Sequence, residues 1–187
     1  MERYARGEDA AFDDVYRRGA PRVRGFLLRL CGDPSVADDL TQETFLRAHH
    51  ARGRFEPRAA ALPWLFAIAR NAFLDRRRRE ALRRTEPHDG SAEPEAGAEA
   101  RGDEVLAARE VMEVVRATLD RLTPLQREAF VLLRFEGMSV SEAAQVLGAT
   151  ESAVKVRAFR AYEALREALS RRSGHDGPDG RAGGAGR

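Results

Sequence analysis

Lysine is almost missing from this chain. Of its 32 basic residues only Lys155 is a lysine, so positive charge sits on guanidinium groups that stay protonated and present a planar fork to phosphate or guanine. A G- and C-rich coding sequence yields the same bias, so the positions of the arginines carry the information and their number does not. Cysteine is reduced to Cys31, which excludes an intrachain disulfide; set among Leu27, Leu28 and Leu30 it reads as a buried thiol. Long hydrophobic runs are lacking too. The longest uncharged stretch, residues 59–69, falls far short of the roughly 20 residues that span a bilayer, and the charged N-terminus has no signal-peptide core. A cytoplasmic protein without membrane insertion is expected. His49, His50, His88 and His175 show no metal-ligand spacing, and there is no Gly-rich phosphate loop, His-Glu-x-x-His helix or Cys-His pair. Ser152 and Lys155 match Ser-x-x-Lys, but the Ser-Asp-Asn and Lys-Thr-Gly companions of that nucleophile pattern are absent. No catalytic residue, cofactor or metal is therefore expected.

What the chain does have is charge sorted along its length. Residues 70–84 hold seven arginines against Asp75 and Glu80, a net of +5, whereas residues 85–108 hold seven acids against Arg101, a net of −6. The whole-chain value of +2 hides both. Fields are screened within roughly 8 Å at physiological salt, so local charge decides where a polyanion docks.

Apolar residues recur at three and four, and no stretch alternates, so the fold class is all-α: two small helical domains joined by a flexible acidic linker. The expected boundaries are residues 8–84, a linker over 85–104 rich in Pro, Gly and acids, a second domain over 105–172, and a disordered glycine-rich tail over 173–187. In the first domain the spacing predicts helices near residues 10–17, 21–31, 36–49 and 63–83, with proline at helix starts after Asp33 and Leu62. In the second, Thr123 with Gln126 and Ser139 with Glu142 are capping boxes, Gly148 ends a short helix, and Thr150 caps a long one.

Short helix, glycine turn and capped second helix form helix-turn-helix spacing. Glu151, Ser152, Lys155, Val156, Phe159 and Arg160 fall on the outer side of the second helix, where Lys155, Arg157 and Arg160 can meet phosphates or base edges. An ordinary helical hairpin with a solvated charged face has the same pattern. Asp39, Gln42, Glu43 and Leu46 share a stripe that suits a basic protein partner or plain solvent. The helix from Pro63 joins an apolar half, including Trp64, to a basic end at Arg76, Arg77, Arg78 and Arg79; Phe66, Arg70 and Arg77 share another face, an aromatic beside arginines that suits unstacked bases. The arginine run equally suits a helix C-terminus, and Trp64 a core.

Taken together, Asp39-Leu-Thr-Gln-Glu-Thr-Phe-Leu-Arg-Ala, Pro63-Trp-Leu-Phe-Ala-Ile-Ala-Arg-Asn, Leu122-Thr-Pro-Leu-Gln-Arg, Gly137-Met-Ser-Val-Ser-Glu-Ala-Ala and Ala153-Val-Lys-Val-Arg-Ala resemble bacterial extracytoplasmic-function (ECF) sigma factors over residues 12–169. The resemblance implies a non-enzymatic subunit that binds core RNA polymerase, directs it to promoter DNA, initiates transcription in a stress or envelope response, and is restrained by an anti-sigma factor. It makes the two domains sigma regions 2 and 4. It assigns Asp39, Gln42, Glu43 and Leu46 to core polymerase, and Arg54, Phe55, Trp64, Arg70, Asn71, Arg76, Arg77 and Arg78 to the proximal promoter element, with the loop 54–63 and Asn71 capturing a flipped base. Glu151, Ser152, Lys155, Arg157, Phe159 and Arg160 would read the distal element, and the acidic tether would lie in the channel where RNA leaves. The competing readings are a dimeric helix-turn-helix regulator acting without polymerase, and a sigma mimic that titrates an anti-sigma factor.

Overall fold

The structure is a computed structural model that describes residues 1–84 and 103–173, with side chains described for residues 1–83 and 109–172. The expected tether and tail fall outside the described residues, apart from the first residues of the helix that follows the tether and the last residue of the final helix. Among the described residues all regular structure is helical: α1 (Glu2–Ala5), α2 (Phe12–Cys31), α3 (Pro34–Ala51), α4 (Ala61–Arg84), α5 (Asp103–Arg121), α6 (Pro124–Arg134), α7 (Val140–Leu147) and α8 (Glu151–Ser173), with 3₁₀ turns at Asp9–Ala11 and Arg52–Arg54.

Local chemistry sets most of these limits. Gly32, at φ 76°, closes α2 by donating its N–H to the Leu28 carbonyl at 2.8 Å. Asp33 then caps α3, its Oδ1 accepting from the Val36 N–H at 3.0 Å, with Pro34 in the first turn. Both capping boxes form, Thr123 with Gln126 opening α6 and Ser139 with Glu142 opening α7. Gly148, at φ 57° and ψ 43°, ends α7, and Thr150 Oγ1 accepts from the Ala153 N–H at 3.2 Å to start α8.

Besides α5 starting at Asp103, inside the expected tether, α8 reaching Ser173 and α3 extending over Pro34–Ala51, there are two differences from expectation. The segments predicted as separate helices over 10–17 and 21–31 are one helix, α2, which runs through Pro21. Pro21 lies on the exposed side, so the backbone carbonyl one turn earlier, deprived of its partner, faces water and costs little. Gly19, Val23, Phe26, Leu27 and Leu30 bury the opposite side and hold the helix together across the proline. The second difference is at α4, which starts two residues before Pro63, within the turn where a missing N–H is harmless.

In the first half α2, α3 and α4 pack together, and in the second α5, α6 and α7 gather round α8. The halves are not separate bodies: α4 packs on α7 and α2 on α6. Val23, Phe26, Leu27, Phe66 and Ala69 share one apolar cluster with Val131, Leu132, Met138, Ala143 and Leu147. A smaller cluster, Leu119, Phe130, Ala161 and Leu165, holds α5, α6 and α8 together.

Candidate nucleic-acid interface

The α8 face follows directly from helical spacing. Val154, Ala158, Ala161 and Leu165 are buried, one or two turns apart, so the opposite side is left to Glu151, Ser152, Lys155, Val156, Phe159 and Arg160, all exposed. Phe159 keeps 63% of its surface open and Val156 is open beside it, an apolar strip between Lys155 and Arg160. Arg157 is half-buried on the flank. None of Lys155, Arg157 and Arg160 forms an ion pair within the described residues. Free cations with open apolar groups on the second helix of a helix-turn-helix suit a major groove, where phosphates line the rim and the thymine methyl is the apolar feature.

The α4 assignments divide. Asn71, Arg77 and Arg78 are exposed. Arg77 lies over the Phe73 ring at 5.9 Å, and Arg78 pairs with Asp75 at 3.5 Å. Arg76 is held by Glu80 at 2.8 Å and Asp39 at 3.6 Å. Arg70 points the other way: its Nε donates to Glu128 Oε2 at 2.7 Å, across the junction between the halves, and its side chain is only 13% exposed. Phe66, expected to share an open face with Arg70 and Arg77, is fully buried, edge-on to Phe26 with centroids 5.1 Å apart. Phe55 is also buried, at 5.4 Å edge-on to the half-buried Trp64. This ring pair pins the loop between α3 and α4, leaving Gly53, Arg54 and residues 56–60 at the surface.

On α3, Asp39, Gln42 and Leu46 are exposed, while Glu43 is half-buried and engaged by Arg47 and by Arg79 at 3.7 Å. Arg47 also donates to Asp75 at 2.7 Å, and these bonds hold its guanidinium above its ordinary pKa, with Asp75 the larger cause. The carboxylate stripe is therefore partly neutralised by α4 arginines, leaving a mixed surface with Leu46 protruding.

The junction carries charges that the sequence pattern did not reveal. Arg22 donates to the Glu136 carbonyl at 2.6 Å and lies 3.3 Å from its carboxylate, and Arg29 is 3.7 Å from the other oxygen while lying 4.4 Å over the Phe135 ring. Burial pushes Glu136 above its ordinary pKa, against the pull of both arginines. A cavity of about 520 Å³ beside this junction is lined by Leu30, Cys31, Phe73, Arg76, Arg127 and Glu128. Arg58 is a further exposed cation in the loop 54–63, which the resemblance assigns as a stretch without naming it. Among the described residues no His, Cys, Asp and Glu cluster could hold a metal, and no helix is long and apolar enough to cross a membrane.

Family models match the two halves separately: "Sigma-70 region 2" over residues 15–83 and "Sigma-70, region 4" over residues 112–165. The chain is 39% identical over 170 residues to the RNA polymerase sigma factor CarQ of Myxococcus xanthus, spanning 90% of this chain and 95% of that one. It is 36% identical over 173 residues to the ECF RNA polymerase sigma factor EcfG of Rhodopseudomonas palustris strain TIE-1, spanning 91% and 92%. Its fold matches the sigma factor RpoE of Bartonella quintana, solved in complex with the anti-sigma factor NepR, at a TM-score of 0.68 and 27% identity, over 85% of this chain and 96% of that one.

Proposed function

The chain belongs to the ECF sigma factors, which direct RNA polymerase to specific promoters and start transcription there, and from that premise we propose that it divides the work among three surfaces. The exposed α8 strip, Ser152, Lys155, Val156, Phe159 and Arg160, reads the distal promoter element in the major groove. The loop after α3, with Arg54, Arg58 and Asn71 and the arginines at the end of α4, takes the proximal element and its flipped base. The outer face of α3, Asp39, Gln42 and Leu46 flanked by Glu43, binds core polymerase. No step of this work asks the chain for a catalytic group, and it belongs in the cytoplasm beside the polymerase.

The observation that carries this reading is the α8 face, where cations with no ion pair among the described residues flank an open phenylalanine on a capped helix. The solved relative bound to an anti-sigma factor supports a regulatory protein partner of that kind for this chain as well. In vitro transcription with core polymerase on genomic fragments tests the whole reading. Lys155→Glu with Arg160→Glu is expected to abolish specific starts while polymerase still captures the variant. Asp39→Arg with Leu46→Asp is expected to abolish capture itself; capture unchanged by that pair removes the α3 assignment.

A further inference from the structure

The first residues of the chain lie outside the stretch that the region 2 family model matches, which begins at residue 15, yet they are built into the fold. Tyr4 is 1% exposed, with its ring against Phe12 at 5.5 Å. Its hydroxyl lies 2.6 Å from His49 Nδ1, near the end of α3. The other ring nitrogen of His49, Nε2, is 3.1 Å from Arg52 Nη1. That same Nη1 donates to the His49 carbonyl at 2.9 Å, and the Arg52 guanidinium lies over the Tyr4 ring at 5.8 Å, with Asp9 3.8 Å away.

Donor counting settles the arrangement of protons. A guanidinium only donates, so His49 Nε2 must accept. In that arrangement the Nδ1 proton points at Tyr4, and Nδ1 donates to Tyr4 Oη. Burial also raises the Tyr4 pKa and keeps the phenol neutral, so the chain of contacts runs in one direction from Arg52 through His49 to Tyr4. Arg52 is the first residue of the turn Arg52–Arg54 that leads into the promoter-facing loop. Phe55, held by Trp64, is the next anchor, so the turn is clamped at both ends while Arg54 remains open.

We propose that Tyr4, His49 and Arg52 form a latch by which the N-terminal segment fixes this turn, and that the latch sharpens the choice of base at the proximal promoter element. Tyr4 and His49 are positioning residues: neither touches DNA, and both act through Arg52 on where Arg54 and residues 56–60 stand. The inference rests on the reading of that loop as the proximal-element site.

The test uses core polymerase loaded with the full chain and a library of short single-stranded DNA with a randomised segment, sequenced after capture. The readout is the enrichment of the favoured base over the other three. Tyr4→Phe keeps the ring and loses only the hydroxyl; His49→Leu loses both ring nitrogens. Each is expected to lower enrichment about fivefold, the worth of about one hydrogen bond. His49→Gln, whose amide can accept from Arg52 and donate to Tyr4, should stay within about twofold of wild type, since both bonds are kept. Polymerase capture and selection from a double-stranded library through α8 should be unchanged. Wild-type enrichment in Tyr4→Phe and His49→Leu, alongside lost enrichment in Arg54→Ala with Arg58→Ala, overturns the latch and leaves the loop assignment standing. A uniform loss over capture, duplex selection and thermal midpoint makes Tyr4 a mere structural support and also overturns it. No effect of Arg54→Ala with Arg58→Ala removes the loop assignment itself, and the latch with it.

Discussion

Replacing Arg70 by methionine removes the only partner, among the described residues, of a carboxylate that has almost no access to water. Glu128 is 1% exposed, its Oε2 is bonded to Arg70 at 2.7 Å, and its Oε1 has no hydrogen-bond partner among the described residues. Stripping one member from such a pair leaves a buried charge uncompensated and typically costs 3–5 kcal/mol, whereas replacing both by apolar residues of similar size is often neutral or stabilising. The pair bridges α4 to α6, so the cost falls on the packing of one half against the other. A loss of about 3 kcal/mol shifts the ratio of packed to parted halves by roughly two orders of magnitude. The assay is energy transfer between dyes on Ala59→Cys and Arg166→Cys in a Cys31→Ser background. Arg70→Met should lower transfer sharply, and Arg70→Met with Glu128→Leu should restore it. Equal transfer in wild type and Arg70→Met, or a double variant as open as the single one, refutes the argument that this pair governs the junction.

Glu136 gives a prediction of opposite sense. Burial raises its pKa above the ordinary 4.5 despite Arg22 and Arg29, so the packed state binds its proton more tightly than the unfolded chain does. Stability from this group therefore rises as pH falls toward 4.5 and is lost as pH climbs through the raised value; Glu136→Gln should flatten that slope in urea titrations and hold or raise the midpoint at neutral pH. Gly19→Ala should destabilise by about 1–3 kcal/mol in the same titration, because its methyl would meet Leu65 Cδ1 at 3.1 Å and Phe45 Cζ at 3.2 Å inside a packed core. Gly148→Ala, with nothing within 4 Å of the added carbon, should cost about 1–2 kcal/mol through its left-handed backbone alone. Neutralising Lys155 and Arg160 to alanine should lower the log–log salt slope of holoenzyme binding to duplex promoter DNA by about two.

The second half was legible because its signals act over three or four residues. Thr123 with Gln126, Ser139 with Glu142, Gly148 and Thr150 set helix ends by bonds that any reader of spacing can anticipate, and the α8 face follows from the buried row they orient. The proline in α2 misled because its tolerance depends on which side meets water, a tertiary fact. Phe66 misled for a related reason: helical period groups it with Arg70 and Arg77 but does not say that Phe66 and Arg70 are covered by the other half while Arg77 stays open. Arg70 and Glu128 are 58 residues apart and Arg22 and Glu136 are 114 apart, so no local pattern links them. Their partnership exists only once two apolar faces have met. The latch at Tyr4 has no local signal either, since Tyr4 and His49 are 45 residues apart and share no period.

That Phe26, Phe66 and Leu132 share a single oily interior has a practical outcome for anyone cutting the protein in two. Each severed piece would display a bare greasy surface that its sibling normally covers. Fragments made to study promoter reading separately should clump or melt at lower temperature than the intact polypeptide, while mixing both pieces should recover solubility.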